Sequence, residues 1–323
     1  MLLSRRSLVA GAGLWGIGAA VSGCHKAAPA LSAGRRKVRL TYGTVSVAKE
    51  RGVLAATLRD QGIDVEWVGP FPNHAPTLQA VAVGSADFSF GGSSTPAAQA
   101  ILSGAKLSFV SWTESTPRTT SILVLPNSGI TGVPGLVGKT VAVNRAGVAE
   151  FLLVAALEKY HVPRDRVNVV FMNPPDAAPA FGAGKVDAWA IWSGPLEMAE
   201  VQYGAQRIFE EGKELTEAID FGTFLVREDY VKQEPETVRA VIRAQQVEVE
   251  WANQHRAEAQ AIGYRVSKYP PAVIERLNQH IINSKLSFMN DEGEANLQRG
   301  VDWLTERKVL SAKLNINEHS VRL

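Results

Sequence analysis

Apolar and polar positions alternate along the chain in short stretches typical of strands, and helical spacing follows each stretch. In the first third of the chain this pattern predicts a β-α-β-α order, which is typical of a largely parallel sheet with helices on both faces. The predicted strands are 38–42, 63–68 and 86–90, and the predicted helices are 45–59, 77–83 and 94–102.

The same alternation restarts after residue 138, so the pattern predicts a second α/β unit. Its predicted strands are 140–143, 167–172 and 186–191, and its predicted helices are 148–160 and 175–181. Beyond Pro235 the pattern becomes almost wholly helical. The amphipathic helices expected there are 236–255, 257–268, 271–283 and 292–307.

Two α/β units of similar size predict two lobes, joined by chain crossings near 111–120 and 220–224. The first lobe is expected to comprise 37–115 with 220–323, and the second lobe 116–219. Ligands of open α/β sheets bind beyond the carboxyl ends of the strands, so the expected site is the cleft between the lobes.

The first 23 residues are expected to be a signal peptide. Arg5 and Arg6 precede an uncharged apolar stretch that is too short to span a bilayer. The arginine pair resembles a twin-arginine export motif, which leaves the twin-arginine and the general secretory routes both open.

The leader ends in Val21–Cys24, which resembles a bacterial lipobox. This motif predicts a diacylglycerol on Cys24 and a lipidated tether over 24–36. The protein is therefore expected in the periplasm or at the cell surface, held at the membrane by this lipid alone. Since Cys24 is the only cysteine, the rest of the chain contains no thiol for a disulfide or a metal site.

Composition and failed motifs exclude several classes of protein. The formal net charge of +2 is too small to indicate a nucleic-acid surface. Gly11–Gly16 matches the dinucleotide-binding glycine pattern but lies in the leader, and Gly138–Thr140 lacks the first glycine of a phosphate-binding loop. The histidines show no ligand spacing and no G-x-S-x-G run occurs. We therefore expect no cofactor, no metal and no enzymatic activity.

Three runs resemble the periplasmic binding proteins for aliphatic sulfonates, taurine and nitrate. These runs are Leu78–Asp87, Leu152–Lys159 and Val186–Trp192, within a resemblance that covers about 38–262. The resemblance implies the two-lobed type II periplasmic-binding-protein fold, α/β in class, with the ligand in the inter-lobe cleft. It also implies a monomeric receptor of an ATP-binding-cassette importer, whose partners are a small anionic ligand and a permease with its ATPase.

The chain departs from this family where the ligand is expected. The first strand-to-helix loop is shortened to Tyr42–Thr44, Arg145–Gly147 replaces Lys-Gly-Ser, and Ser193 replaces an aspartate. Loss of that acid predicts a weaker preference for amine-bearing anions such as taurine, and the apolar walls favour an alkyl or aryl sulfonate.

Two helix N-termini are expected to face the cleft and to bind the anion through unpaired N–H groups. One follows Gly91–Pro96, whose hydroxyls can also donate, and the other follows Arg145–Gly147. Trp189 and Trp192 lie three apart on a predicted strand, so they project to opposite faces, and Trp192 is the better candidate for a cleft wall. The predicted ligand contacts are Thr44, Ser93, Ser94, Thr95, Trp112, Arg118, Arg145, Ala146, Gly147, Trp192 and Ser193.

Several alternatives stay open on the sequence alone. Nitrate, taurine or a pyrimidine-type thiamine precursor could replace the sulfonate as ligand. An enzyme on the same scaffold, or a sensor that presents its closed lobes to a membrane kinase, are further hypotheses.

Overall fold

The computed structural model of the chain describes residues 34–89, 91–280 and 282–323, and Arg35–Leu323 forms one compact unit. The leader and Cys24 lie outside the described residues. In chain order the strands are β1 (Arg36–Gly43), β2 (Ile63–Phe71), β3 (Phe88–Ser89), β4 (Leu107–Thr116), β5 (Ser121–Val124), β6 (Thr140–Val143), β7 (Asn168–Phe171), β8 (Ala188–Ile191), β9 (Gln206–Glu210), β10 (Gly222–Arg227) and β11 (Asn283–Phe288).

Helices connect most of these strands. In chain order they are α1 (Val47–Arg51), α2 (Val53–Asp60), α3 (His74–Ala82), α4 (Ser94–Leu102), α5 (Val148–Lys159), α6 (Pro174–Gly182), α7 (Pro195–Tyr203), α8 (Glu211–Glu214), α9 (Glu228–Gln233), α10 (Pro235–Gln254), α11 (Arg256–Ser267), α12 (Pro271–Leu277) and α13 (Asp291–Glu306). Among the described residues, none of these helices has the length and apolar character needed to cross a membrane.

The first sheet has six strands in the order β11-β4-β10-β3-β1-β2. β1 pairs in parallel with β2 and β3, whereas β10, β4 and β11 pair antiparallel. Val38 and Leu40 on β1 are fully buried, as expected for side chains two apart on one face of a strand. This sheet forms the base of the first lobe.

The second sheet has five strands in the order β7-β6-β8-β5-β9. β6 pairs in parallel with β7 and β8, and β5 pairs antiparallel with β8 and β9. In both sheets the first strand after a crossing, β5 or β10, runs antiparallel because the chain enters from the other lobe. The α5 helix that covers the second sheet is buried from Ala149 to Leu157.

The chain crosses between the sheets twice; the first crossing is shorter than the pattern predicts, and the second begins earlier and is longer. β4 continues to Thr116, so the first crossing is only 117–120, and the second crossing is 211–221. The carboxyl-terminal helix α13 also contacts the second lobe, because Phe151 of α5 packs in one apolar cluster with Leu297 and Val301 of α13.

Two predicted helices differ clearly from the structure. The expected helix 45–59 is divided at Gly52, whose φ of 72° ends α1 in the left-handed region that glycine adopts most readily. The expected helix 271–283 ends at Leu277, and Asn283–Phe288 forms β11 against β4. In β11 only Leu286 is buried, so the polar neighbours of this edge strand conceal its pattern from the sequence.

Candidate functional site

A cleft of about 790 Å³ lies between the two sheets and is lined from both lobes. Loops after β1, β2 and β3 and the first crossing form one side, and the loops after β6 and β8 with the start of α6 form the other. Its lining includes Thr44, Phe71, Asn73, Ser93, Arg118, Asn144, Val148, Trp192, Ser193, Met198, Asp220 and Tyr269. The volume lies in the range usual for small-molecule sites.

The N-terminus of α4 is already capped by a carboxylate of the chain. Oδ1 of Asp220, in the second crossing, accepts hydrogen bonds from Ser93 Oγ (2.6 Å), Ser94 Oγ (3.0 Å), and Oγ1 and the backbone N–H of Thr95 (3.0 and 3.1 Å). Burial raises the pKa of Asp220, and these donors oppose that shift. The anion position predicted at Ser93–Thr95 is therefore filled by Asp220, and Ser94 and Thr95 are buried away from the cleft lining.

A buried histidine supports the same loop. His74 Nδ1 lies 2.9 Å from the carbonyl oxygen of Ser93, and Nε2 lies 2.6 Å from Ser89 Oγ. Burial lowers the pKa of His74 to about 4, so the ring is neutral at neutral pH. A Cβ on Gly92 would lie 2.3 Å from His74 Cγ, so the loop can rest on the ring only with glycine there. The sequence does not predict this role, because a lone histidine at the start of a helix carries no signal.

The N-terminus of α5 also has a partner within the chain, since the backbone N–H of Ala149 in its first turn donates to Asn144 Oδ1 (3.3 Å). The backbone N–H of Ala146 donates to Glu150 Oε2 (2.7 Å), and Glu150 pairs with Arg164 at 2.7 Å. Ala146 and Gly147 are buried and do not line the cleft, and Arg145 is exposed with its guanidinium 3.7 Å from the centre of the Phe171 ring. The structure thus turns Arg145–Gly147 away from the position predicted for the ligand.

Arg118 is the one lysine or arginine among the described residues that line the cleft. Its Nε lies 3.1 Å from Glu211 Oε1, and its Nη2 donates to the carbonyl oxygen of Leu215. Burial raises the pKa of Glu211 to about 7, Arg118 opposes this shift, and the nearby Asp220 adds to it. The charge of Arg118 is therefore directed partly at the protein itself.

The three tryptophans take different places. Trp112 is 2% exposed in the middle of β4, donates from Nε1 to Asn290 Oδ1 (3.2 Å) and does not line the cleft, so the structure places it away from the position predicted for the ligand. Trp189 is buried against Phe181 and also contributes to the cleft lining. Trp192 is half-buried and lines the cleft.

Several neutral donors line the cleft without a hydrogen-bond acceptor among the described residues. They include the hydroxyl of Thr44, the Nδ2 amide of Asn144 and the hydroxyl of Tyr269. The Ser193 hydroxyl, in contrast, donates to Glu197 (3.2 Å). Uncommitted donors next to apolar walls suit a ligand that combines anionic oxygens with an apolar part.

The lobes also contact each other directly across the cleft. Asn73 Nδ2 donates to Asn173 Oδ1 at 2.8 Å, joining the N-terminal turns of α3 and α6. Tyr269 and Ile282, which lie in a region predicted to be almost wholly helical, contribute a further wall. These two residues lie about 200 residues after the cleft loops that follow β1 and β2, so no local sequence pattern predicts that they meet.

Comparison with protein families identifies relatives of this chain. The family model described as NMT1/THI5 like matches residues 44–259, which is more than half of the chain. An aliphatic sulfonates-binding protein of Bacillus subtilis is 28% identical over 313 residues, covering 96% of this chain and 90% of the relative. A protein of the same name from Escherichia coli is 28% identical over 255 residues, covering 79% and 78%.

Solved structures confirm the predicted periplasmic-binding-protein fold. The alkanesulfonate-binding protein SsuA from Xanthomonas axonopodis pv. citri, bound to MOPS, superposes with a TM-score of 0.81 at 27% identity, covering 90% of this chain and all of that one. The desulfurization enzyme DSZB superposes with a TM-score of 0.64 at 14% identity, covering 89% and 97%, which is a likeness of fold alone.

Proposed function

The chain belongs to the NMT1/THI5-like family, and from that premise we propose that it is an extracytoplasmic binding protein for a small organic sulfonate. The observation that carries this proposal is the inter-lobe cleft with its uncommitted donors, among them those of Thr44, Asn144 and Tyr269, beside the apolar wall of Trp192. A sulfonate matches this lining because its three oxygens accept hydrogen bonds and its organic part is apolar.

The donors favour a monoanion over a doubly charged ion. Hydrogen bonds to a charged partner are worth roughly 1.5–3 kcal/mol each, so neutral donors with partial help from Arg118 suffice for one charge. A second negative charge would face Glu211 and Asp220 with no further cation from the described lining. Sulfate is therefore expected to bind much more weakly than an alkanesulfonate.

The setting proposed for this receptor is the outer side of a membrane. Export by the leader and a lipid on Cys24 would hold the protein there, and a permease with its ATPase would take up the ligand. The relatives named as sulfonate-binding proteins support this proposal. Taurine and nitrate stay alternatives within the same cleft.

Isothermal titration calorimetry of the purified protein tests the proposal. The panel contains methanesulfonate, 1-propanesulfonate, 1-hexanesulfonate, taurine, nitrate, sulfate and a thiamine-type aminopyrimidine. We expect saturable binding of the alkanesulfonates and little heat from sulfate. If no sulfonate binds while a thiamine-type aminopyrimidine does, the sulfonate is the wrong ligand; if nothing binds, the cleft is not a sulfonate site.

A further inference from the structure

A segment near the carboxyl terminus joins the lobes a third time. The preceding helix α11 packs against α1, and the following strand β11 pairs with β4, so both ends belong to the first lobe. Between them α12 packs against α7 of the second lobe. We call residues 268–280 the clasp segment. The sequence predicts only two crossings, because this segment leaves the first lobe and returns to it.

Charged side chains hold the clasp segment to the second lobe. Arg276 Nη1 lies 3.3 Å from Glu200 Oε2, and His280 Nε2 lies 3.4 Å from Arg207 Nη1. Glu200 is buried and also pairs with Arg207 at 2.7 Å. Arg276 is 46% exposed whereas Glu200 is 8% exposed, so solvent screens the pair from one side. The pair is therefore one part of the attachment of α12, which also buries Val273.

Tyr269 lies where the clasp segment meets the ligand cleft. The position of a Cβ on Gly194, at the start of α7, is 2.9 Å from the Tyr269 hydroxyl oxygen, so the tyrosine closely approaches the second lobe only because glycine is there. Burial and the nearby Glu197 raise the pKa of Tyr269, which keeps the hydroxyl protonated as a donor. Among the described residues this hydroxyl has no acceptor, and it lines the cleft.

We propose that the clasp segment is a ligand-responsive connection, in which Tyr269 donates a hydrogen bond to an oxygen of the bound anion while Arg276 holds α12 on α7. This rests on the function proposed above. Binding and closure are then coupled, because the ligand contacts both the clasp segment and the second lobe only when α12 is docked. A ligand shifts such an equilibrium only by binding one state better.

The test uses the full chain, with 1-propanesulfonate as probe and three variants. Tyr269→Phe removes one hydroxyl, Arg276→Gln removes the pair with Glu200, and Arg265→Gln removes an exposed arginine of α11 as control. We expect Tyr269→Phe to raise the Kd about tenfold or more, equivalent to about 1.4 kcal/mol. Arg276→Gln should raise the dissociation rate severalfold, followed by tryptophan fluorescence, and Arg265→Gln should change neither quantity.

Hydrogen exchange of 268–280 supplies the second readout. In the wild type, 1-propanesulfonate should slow hydrogen exchange of this segment. In Tyr269→Phe, a saturating concentration of the probe should slow the exchange less. Without ligand, Arg276→Gln should exchange faster than Arg265→Gln. If the wild type binds the probe but Tyr269→Phe binds equally well, with equal protection, the clasp proposal is wrong and the proposed function stands. If the wild type binds no sulfonate, the proposed function fails; equal ligand-free exchange in the two arginine variants would then overturn the clasp as well.

Discussion

Replacing Asp220 by alanine removes the carboxylate that caps α4. Its Oδ1 accepts hydrogen bonds from Ser93, Ser94 and Thr95, and each bond to a charged group is worth roughly 1.5–3 kcal/mol. Burying the carboxylate offsets part of this gain. We therefore expect Asp220→Ala to lower the free energy of unfolding by about 2–4 kcal/mol, which corresponds to a fall in Tm of roughly 5–10 °C.

The vacated position should accept a small carboxylate from solution. Acetate is expected to raise the Tm of Asp220→Ala more than that of the wild type, since a ligand that binds only the folded state stabilises it by RT ln(1 + [L]/Kd). Thermal unfolding in acetate and in chloride at equal ionic strength measures the effect. Asp165→Ala, at an exposed residue, is the matched control. The reasoning is refuted if Asp220→Ala is as stable as the wild type, or if chloride restores stability as well as acetate does.

Three further predictions concern the cleft and the anchor. Trp192→Ala should weaken 1-hexanesulfonate more than methanesulfonate in calorimetry, because it removes apolar contact; equal weakening would place Trp192 in a supporting role. Glu211 keeps its proton up to about pH 7 when folded and loses it near pH 4.5 when unfolded, so it makes stability fall as the pH rises between those values. Unfolding titrations of Glu211→Gln and of the wild type at each pH should show that the variant lacks this fall in stability. His74 contributes in the opposite direction from pH 4 to 6.5, but it does so in both proteins, so its contribution cancels in the comparison. Cys24→Ala should release the protein from membranes on fractionation, and an unchanged membrane fraction would contradict the lipobox.

The sequence predicts the α/β order well because it depends on local periodicity. The buried strand β1 and the apolar helix α5 lie close to their predicted positions. Local patterns do not reveal β11, since Asn283–Phe288 is polar except for Leu286 and is a strand only because β4 offers an open edge. The clasp segment is concealed for the same reason: its route depends on contacts with distant residues.

The candidate site is harder to predict, because a side chain's role depends on its partners. Ser93, Ser94 and Thr95 carry the hydroxyl donors typical of an anion site. In the structure these hydroxyls donate to Asp220, which lies more than 120 residues later in the sequence. Trp112 is an aromatic residue of the kind that forms cleft walls, but it lies within β4 and is buried. Thr44 and Trp192 do line the cleft, since the end of a strand places a side chain there whatever the partner.

Internal capping changes what can select the ligand. With Asp220 on the backbone N–H of Thr95 in α4 and Asn144 on that of Ala149 in α5, both helix N-termini have hydrogen-bond partners within the chain before any ligand enters. Recognition then depends on neutral donors such as Asn144 and Tyr269, which discriminate by position more than by charge. Because Tyr269 lies on the clasp segment, its position is correct only when α12 is docked on α7. Selectivity in this cleft is therefore tied to closure: an anion of the wrong shape fails to engage the donor that completes the closed state.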